Sequence, residues 1–186
     1  MFKKILLVIA VLIAGFLIVV AMQPSEFRVE RSTLVAAPPE TTFAQVNEFH
    51  NWPSWSPWAK MDPSMETTFS EMSAGTGATY AWKGNSKVGE GSMTITESRP
   101  ASYIAIDLAF LKPFKATNLT EFTFKPIHGG TQLTWAMSGK NNFMAKAICL
   151  FMNMDKMVGG DFKKGLAGIK KNAEIASGWR KPDAAK

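Results

Sequence analysis

The proline-free run from Asn142 to Ala176 constrains the fold more than any other stretch. It is long enough for eight or more helical turns at ~3.6 residues per turn. At that period Phe143, Ala147, Leu150, Phe151, Met154, Met157, Val158, Phe162, Gly165 and Ile169 fall on one arc. The lysines 146, 156, 163, 164, 170 and 171, with Glu174, fall on the other. An apolar stripe this wide needs a partner to lie against. Gly159-Gly160 interrupts the run, and Asp161 sits at the edge of the apolar arc. Asp161 has two readings. It caps a half-helix that restarts after the glycines, or it is a polar group aimed into an interior cavity.

The partner is predicted from the residues before the helix, which read as short strands joined by turns. Phe27–Val35 forms a first strand. Ala36-Ala37-Pro38-Pro39-Glu40 ends it and starts a helix that continues to Phe49, with proline in the first turn and Glu40 at its positive end. His50-Asn51-Trp52-Pro53-Ser54-Trp55-Ser56-Pro57-Trp58 follows. Two prolines exclude a long regular helix there, so a helical turn and a loop are expected to pin three indoles over the core. That aromatic corner either closes one end of the fold or walls the entrance to an apolar site.

Six strands are expected next, over 66–72, 78–82, 90–97, 102–110, 116–126 and 131–138. Lys83-Gly84-Asn85-Ser86 is a hairpin signal. Ile104, Ile106, Leu108 and Phe110 share one face, as do Phe122 with Phe124, and Leu133 with Trp135 and Met137. Short turns between half-apolar strands give an antiparallel meander. The sum is an α+β fold in which a curved antiparallel sheet wraps the C-terminal helix, with residues 25–178 as its domain and 179–186 as a basic tail.

At the N-terminus, Lys3-Lys4 precedes an uncharged apolar run from Ile5 to Met22. Residues 1–24 read either as a retained transmembrane helix or as a cleaved signal segment, for which Val19-Val20-Ala21 supplies small residues. The lysines place the N-terminus in the cytoplasm, so the protein is expected to be single-pass, with its domain on the exported side.

Composition removes several function classes. Cys149 is the only cysteine, and His50 and His128 are the only histidines, so no disulfide, CxxC pair or His/Cys metal cluster is expected. The net charge is +6, falling to +4 without Lys3 and Lys4, and no arginine patch interleaves with aromatics, so no nucleic-acid role is expected. Gly75-Thr76-Gly77 follows no strand–helix pattern and is a turn. Asn118-Leu119-Thr120 matches a glycosylation acceptor but lies inside a strand. His50, Tyr80, Glu90, Tyr103, Asp107 and Asp161 are the titratable candidates for catalysis, and no two of them form a dyad in sequence. Glu90 reads as a turn residue, Asp107 as solvent-facing with Tyr103 on its face, and His50 as the end of the preceding helix.

The order of elements, together with residues 46–58, Trp82-Lys83-Gly84-Asn85, Gly89-Glu90-Gly91 and 154–169, resembles the START-like or Bet v 1-like (SRPBCC) superfamily in its polyketide cyclase/dehydrase-related branch. The likeness runs from Val29 to Ile175 and implies the helix-grip fold. It implies a container rather than one activity, because that architecture serves lipid binding, cyclisation and partner binding alike. A straight helix in a curved sheet leaves room for an apolar ligand. Trp52, Trp55, Trp58, Trp82, Trp135, Met154 and Met157 are its expected lining, with Asp161 and His50 as polar anchors. The expected partner is a hydrophobic small molecule, lipid-like, isoprenoid or polyketide-like, and no cofactor is implied. A ligand-free envelope protein and an enzyme on an apolar substrate are the alternatives.

Overall fold

The computed structural model describes residues 2–151 and 153–178, so the basic tail lies outside the described residues. An apolar helix α1 (Phe2–Ala21) leads into strand β1 (Glu26–Val35). Helix α2 (Pro39–Asn47) follows, with Pro39 in its first turn, and then a 3-10 turn over Phe49–Asn51. Helices α3 (Trp52–Trp55) and α4 (Pro57–Met61) complete the corner. Pro53 and Pro57 each stand in the first turn of a short helix, where a missing N–H costs nothing. The expected loop is therefore a chain of helical turns.

Strands β2 (Glu66–Phe69), β3 (Thr79–Lys83), β4 (Glu90–Arg99), β5 (Tyr103–Lys112), β6 (Ala116–Ile127) and β7 (Gly130–Lys140) form the meander. β1 adds beside β7, giving a seven-stranded antiparallel sheet in the order β1-β7-β6-β5-β4-β3-β2. Register shifts at Glu90/Gly91 and at Ile95/Glu97 bend β4 against β5, as bulges do. Along β6 the alternation is clean. Asn118, Thr120, Phe122 and Phe124 point inward, whereas Leu119, Thr123 and Lys125 are exposed. Asn118 is 8% exposed, which closes the glycosylation acceptor to modification.

The long C-terminal run is two helices, α5 (Phe143–Cys149) and α6 (Met154–Ala176). The break does not fall at Gly159-Gly160, through which α6 runs unbroken. It falls where Asn153 accepts the Lys156 N–H at 2.8 Å and caps α6, as Asn142 caps α5 through the Ala145 N–H. Asp161 is therefore no cap. Gly159 has a different cause. Arg31 crosses from β1 to α6, its guanidinium bidentate to Asp155 at 3.0 and 2.9 Å, and a Cβ at Gly159 would strike that guanidinium. The buried stripe of α6 is Phe162, Leu166, Ile169 and Ala173, packed on β1, β7 and the α2–α4 corner. Phe143, Phe151 and Met157, expected on that stripe, are exposed instead.

Candidate functional site

The corner is tied to α2 by its own indoles. Trp52 Nε1 donates to Val46 O and Trp55 Nε1 to Gln45 O, each at 2.9 Å. These carbonyls belong to the last turn of α2, which has no helical partner for them. The two rings sit 4.5 Å apart; Trp52 also meets Phe49 and Phe122, and the fully buried Trp55 meets Trp135 edge-on at 5.8 Å. Trp135, on β7, is held on both faces. Phe162 of α6 stacks on one at 4.1 Å and 10°, and Phe122 on the other at 4.9 Å. Gly165 makes this approach feasible, since a Cβ there would stand 2.6 Å from Trp135 Cζ3.

Beyond Trp135 the sheet and α6 diverge and leave a cavity of about 440 Å³. Its inner wall includes Trp52, Trp135, Met137 and Thr120, and its flanks Tyr80, Trp82, Met93, Leu108 and Phe110. Val158, Asp161 and Phe162 close it from α6. Trp82 is oriented by its Nε1 donating to Val88 O at 3.1 Å, and it stacks beside Tyr80 and against the edge of Phe110. Ser86, Lys87, Lys112, Pro113 and Met157 are exposed at its mouth. Glu90 pairs with Lys112 at 2.7 Å on the rim, and that bond holds its carboxyl below the usual range against the opposing effect of burial. Burial pushes the Tyr80 phenol up.

Of the residues expected at the site, Trp52, Trp58, Trp82, Trp135, Met157 and Asp161 border this cavity. Two others do not. Trp55 is packed behind the inner wall, its backbone against Gly168 of α6. His50 is on the surface, where its Nδ1 meets Glu48 Oε1 at 2.9 Å and its ring lies on Phe69 at 4.3 Å. The 3-10 turn that follows α2 rotates His50 outward, since Glu48 also accepts the His50 N–H. The Met154 side chain lies outside the described residues. Asp161 faces the cavity edge with a partner of its own, Lys164, at 2.8 Å.

Tyr80, Met93, Leu108, Phe110 and Met137 were missed as lining, although strand alternation puts them on the inner face. Lys112 and Pro113 come from a turn, and nothing local in the sequence marks them. Thr120 Oγ1 and Trp135 Nε1 are buried without a hydrogen-bond partner among the described residues. Asp107 is exposed. Tyr103 also belongs to the outer face, where its hydroxyl donates to Glu121 at 2.8 Å and its ring lies under Arg99 at 4.4 Å.

Residues 26–174 match the family described as polyketide cyclase / dehydrase and lipid transport. The chain belongs to that family. No curated protein matches it in sequence. Among solved structures it is similar to a protein of Chromobacterium violaceum at 15% identity and a TM-score of 0.57, covering 81% of this chain and 98% of that one. The di-domain ARO/CYC StfQ from the steffimycin biosynthetic pathway aligns at 13% identity and a TM-score of 0.63, over 83% of this chain and 52% of its own. Ara h 8.0201 aligns at 13% identity and a TM-score of 0.53, over 83% and 99%. At these identities the likeness establishes the fold alone: a helix-grip architecture shared by this family member and proteins of otherwise different descriptions.

Proposed function

We propose that this family member binds a hydrophobic small molecule, lipid-like, isoprenoid or polyketide-like, in the cavity between sheet and α6, and does so tethered to a membrane by α1. The observation that carries the reading is the cavity itself. Its volume of about 440 Å³ falls in the roughly 300–1,000 Å³ range of small-molecule sites, which are mostly apolar with few polar groups. Indoles supply flat walls, and Met61, Met65, Met93, Met137 and Met157 supply flexible, polarizable ones that adapt to chains of different shape. Lys87, Lys112 and Asp161 lie at the edge, where the polar end of an amphiphile would remain.

α1 is long and apolar enough to cross a bilayer. With Lys3 and Lys4 in its first turn, the positive-inside rule favours the exported side for the domain.

The test is thermal stabilisation of the full chain in detergent by a panel of apolar ligands, beside a Leu108→Trp variant. Leu108 is half-buried on the cavity flank, so the larger ring fills the space while the fold persists. Stabilisation of the wild type by at least one ligand class, weakened several-fold in Leu108→Trp, is expected. No stabilisation across the panel overturns the reading.

A further inference from the structure

The strand register gathers several features at one end of the sheet. Glu26 pairs with Lys140, Asn118 with Gly139, Phe110 with Ala116, and Glu90 with Lys112. The start of β1, the β7–α5 junction, the β5–β6 turn and the β3–β4 turn therefore share this end. The mouth of the cavity opens here too, at Ser86, Lys87, Lys112 and Pro113. So does a set of large apolar side chains that the fold leaves bare: Leu111 at the end of β5, Phe114 on the β5–β6 turn, Phe143 and Met144 on α5, and Phe151 just after it, the last 81% exposed.

Two observations say what covers them. First, α1 is joined to this end by a short link. Only Met22–Ser25 intervenes, and Asn141 fastens it, its N–H donating to Ser25 O at 2.8 Å and its Nδ2 to Pro24 O at 3.3 Å. α1 also packs on α5, where Lys146 Nζ donates to Ala21 O and Phe16 stacks on Phe151 at 6.5 Å. Phe16 lies five residues before the end of α1, about 7.5 Å deeper along its axis. Whatever medium immerses α1 to that depth also receives Phe151. Second, lysines 83, 87, 112, 115, 140 and 146 lie at this end, against Glu26, Glu66 and Glu90. Apolar side chains within a basic collar suit the interface of an anionic bilayer.

We infer that this end of the domain docks into the bilayer interface through Phe114, Phe143, Met144 and Phe151, so that the cavity opens against lipid rather than bulk water. A ligand then passes between bilayer and cavity without crossing the aqueous phase. The inference rests on the reading of α1 as a retained span; it does not depend on which molecule the cavity holds.

The full chain, in a Cys149→Ser background, is reconstituted into phosphatidylcholine vesicles with and without phosphatidylglycerol. A fluorophore is attached in turn at Phe114→Cys, Met144→Cys, Leu34→Cys and Ile175→Cys, all exposed positions. Lipids bearing a spin label on the acyl chain quench it by contact. Quenching several-fold stronger at 114 and 144 than at 34 and 175, and stronger again with phosphatidylglycerol, is expected. Equal quenching at the four positions overturns the inference, as does protection of 114 and 144 by a co-purifying protein instead of by lipid. Resistance of the chain to alkaline extraction reports the span, and lipid recovered with the purified chain reports the ligand, so failure of either earlier reading is told apart from failure of docking.

Discussion

Two glycines five positions apart on α6 offer a matched experiment on the cavity wall. A Cβ at Gly165 would stand 2.6 Å from Trp135 Cζ3 and 3.5 Å from Pro57 Cδ, whereas one at Gly160 meets nothing within 4 Å. Carbon atoms settle at about 3.5–4.0 Å, so Gly165→Ala requires Trp135 to retreat by about 1 Å. Phe122 and Phe162 hold both faces of the ring, and Trp55 and Trp58 press on it from 5.8 and 6.0 Å. The direction left is toward the cavity. Overpacking of this kind costs about 1–3 kcal/mol, and alanine returns up to ~1 kcal/mol of helix propensity over glycine. Gly165→Ala is therefore expected to lie between neutral and about 2 kcal/mol less stable than the parent. Gly160→Ala collects the propensity gain alone, about 0.5–1 kcal/mol.

At roughly 2–4 °C per kcal/mol for a domain of this size, the two variants should melt several degrees apart by circular dichroism, Gly160→Ala the higher. An apolar fluorescent probe should bind Gly160→Ala as it binds the parent and bind Gly165→Ala several-fold more weakly. Equal melting temperatures with equal probe affinity would refute the packing of Trp135 against α6 described here.

Thr120 Oγ1 has no partner among the described residues, so Thr120→Val is expected to be neutral or to raise stability by up to about 1 kcal/mol; a loss of that size in a denaturant titration would mean that the hydroxyl is bonded when the protein is in solution. The hydrogen bonds from Arg31 hold the Asp155 carboxyl below its ordinary range, despite some opposing desolvation. A depressed folded value contributes stability that is complete above pH ~4 and is lost as pH falls through the lowered value. Asp155→Asn should thus melt below the parent at neutral pH and converge with it in acid, and a gap that persists at low pH would count against the ion pair. Burial, and then the bond to Glu121, push the Tyr103 phenol up to about 12, and burial raises Tyr80 as well. With only two tyrosines in the chain, ultraviolet absorbance of the folded protein should show both phenolate steps above the ordinary position, that of Tyr103 near pH 12, and stability linked to Tyr103 should be lost between about pH 10 and 12. An ordinary step near 10 would place the rings in water.

The strands were legible because one face of each is wet. Alternation in β5, β6 and β7 distinguishes inward Ile104, Phe122 and Trp135 from outward Asp107, Thr123 and Lys125 at a period of two, and the register follows from the short turns. The break before α6 escapes the sequence reading because Gly159-Gly160 attracts attention as a helix breaker, whereas the cap, Asn153, is a single residue inside a continuous apolar arc. Only the path of Arg31 across the helix explains why glycine stands at 159, and that path is set by a contact with Asp155, 124 positions along the chain. The cavity was legible in its aromatic and methionine content but not in its outline. Trp55 and Trp58 are three apart, yet the extended Ser56 between α3 and α4 separates their directions, so the first lies behind the wall and the second on it. His50 was misplaced for a similar local reason, the 3-10 turn that Glu48 caps. The bare side chains at 114, 143, 144 and 151 acquire meaning only when the register brings their turns to the end that α1 enters.

The central claim is that the space between sheet and α6 holds an apolar molecule. Native mass spectrometry of the full chain, purified and released from detergent, tests this most directly. The account predicts a one-to-one adduct of lipid-like mass on the parent chain that is lost or strongly diminished in Leu108→Trp. A parent chain that flies without adduct, even after incubation with a lipid extract of the cells that express it, would contradict it.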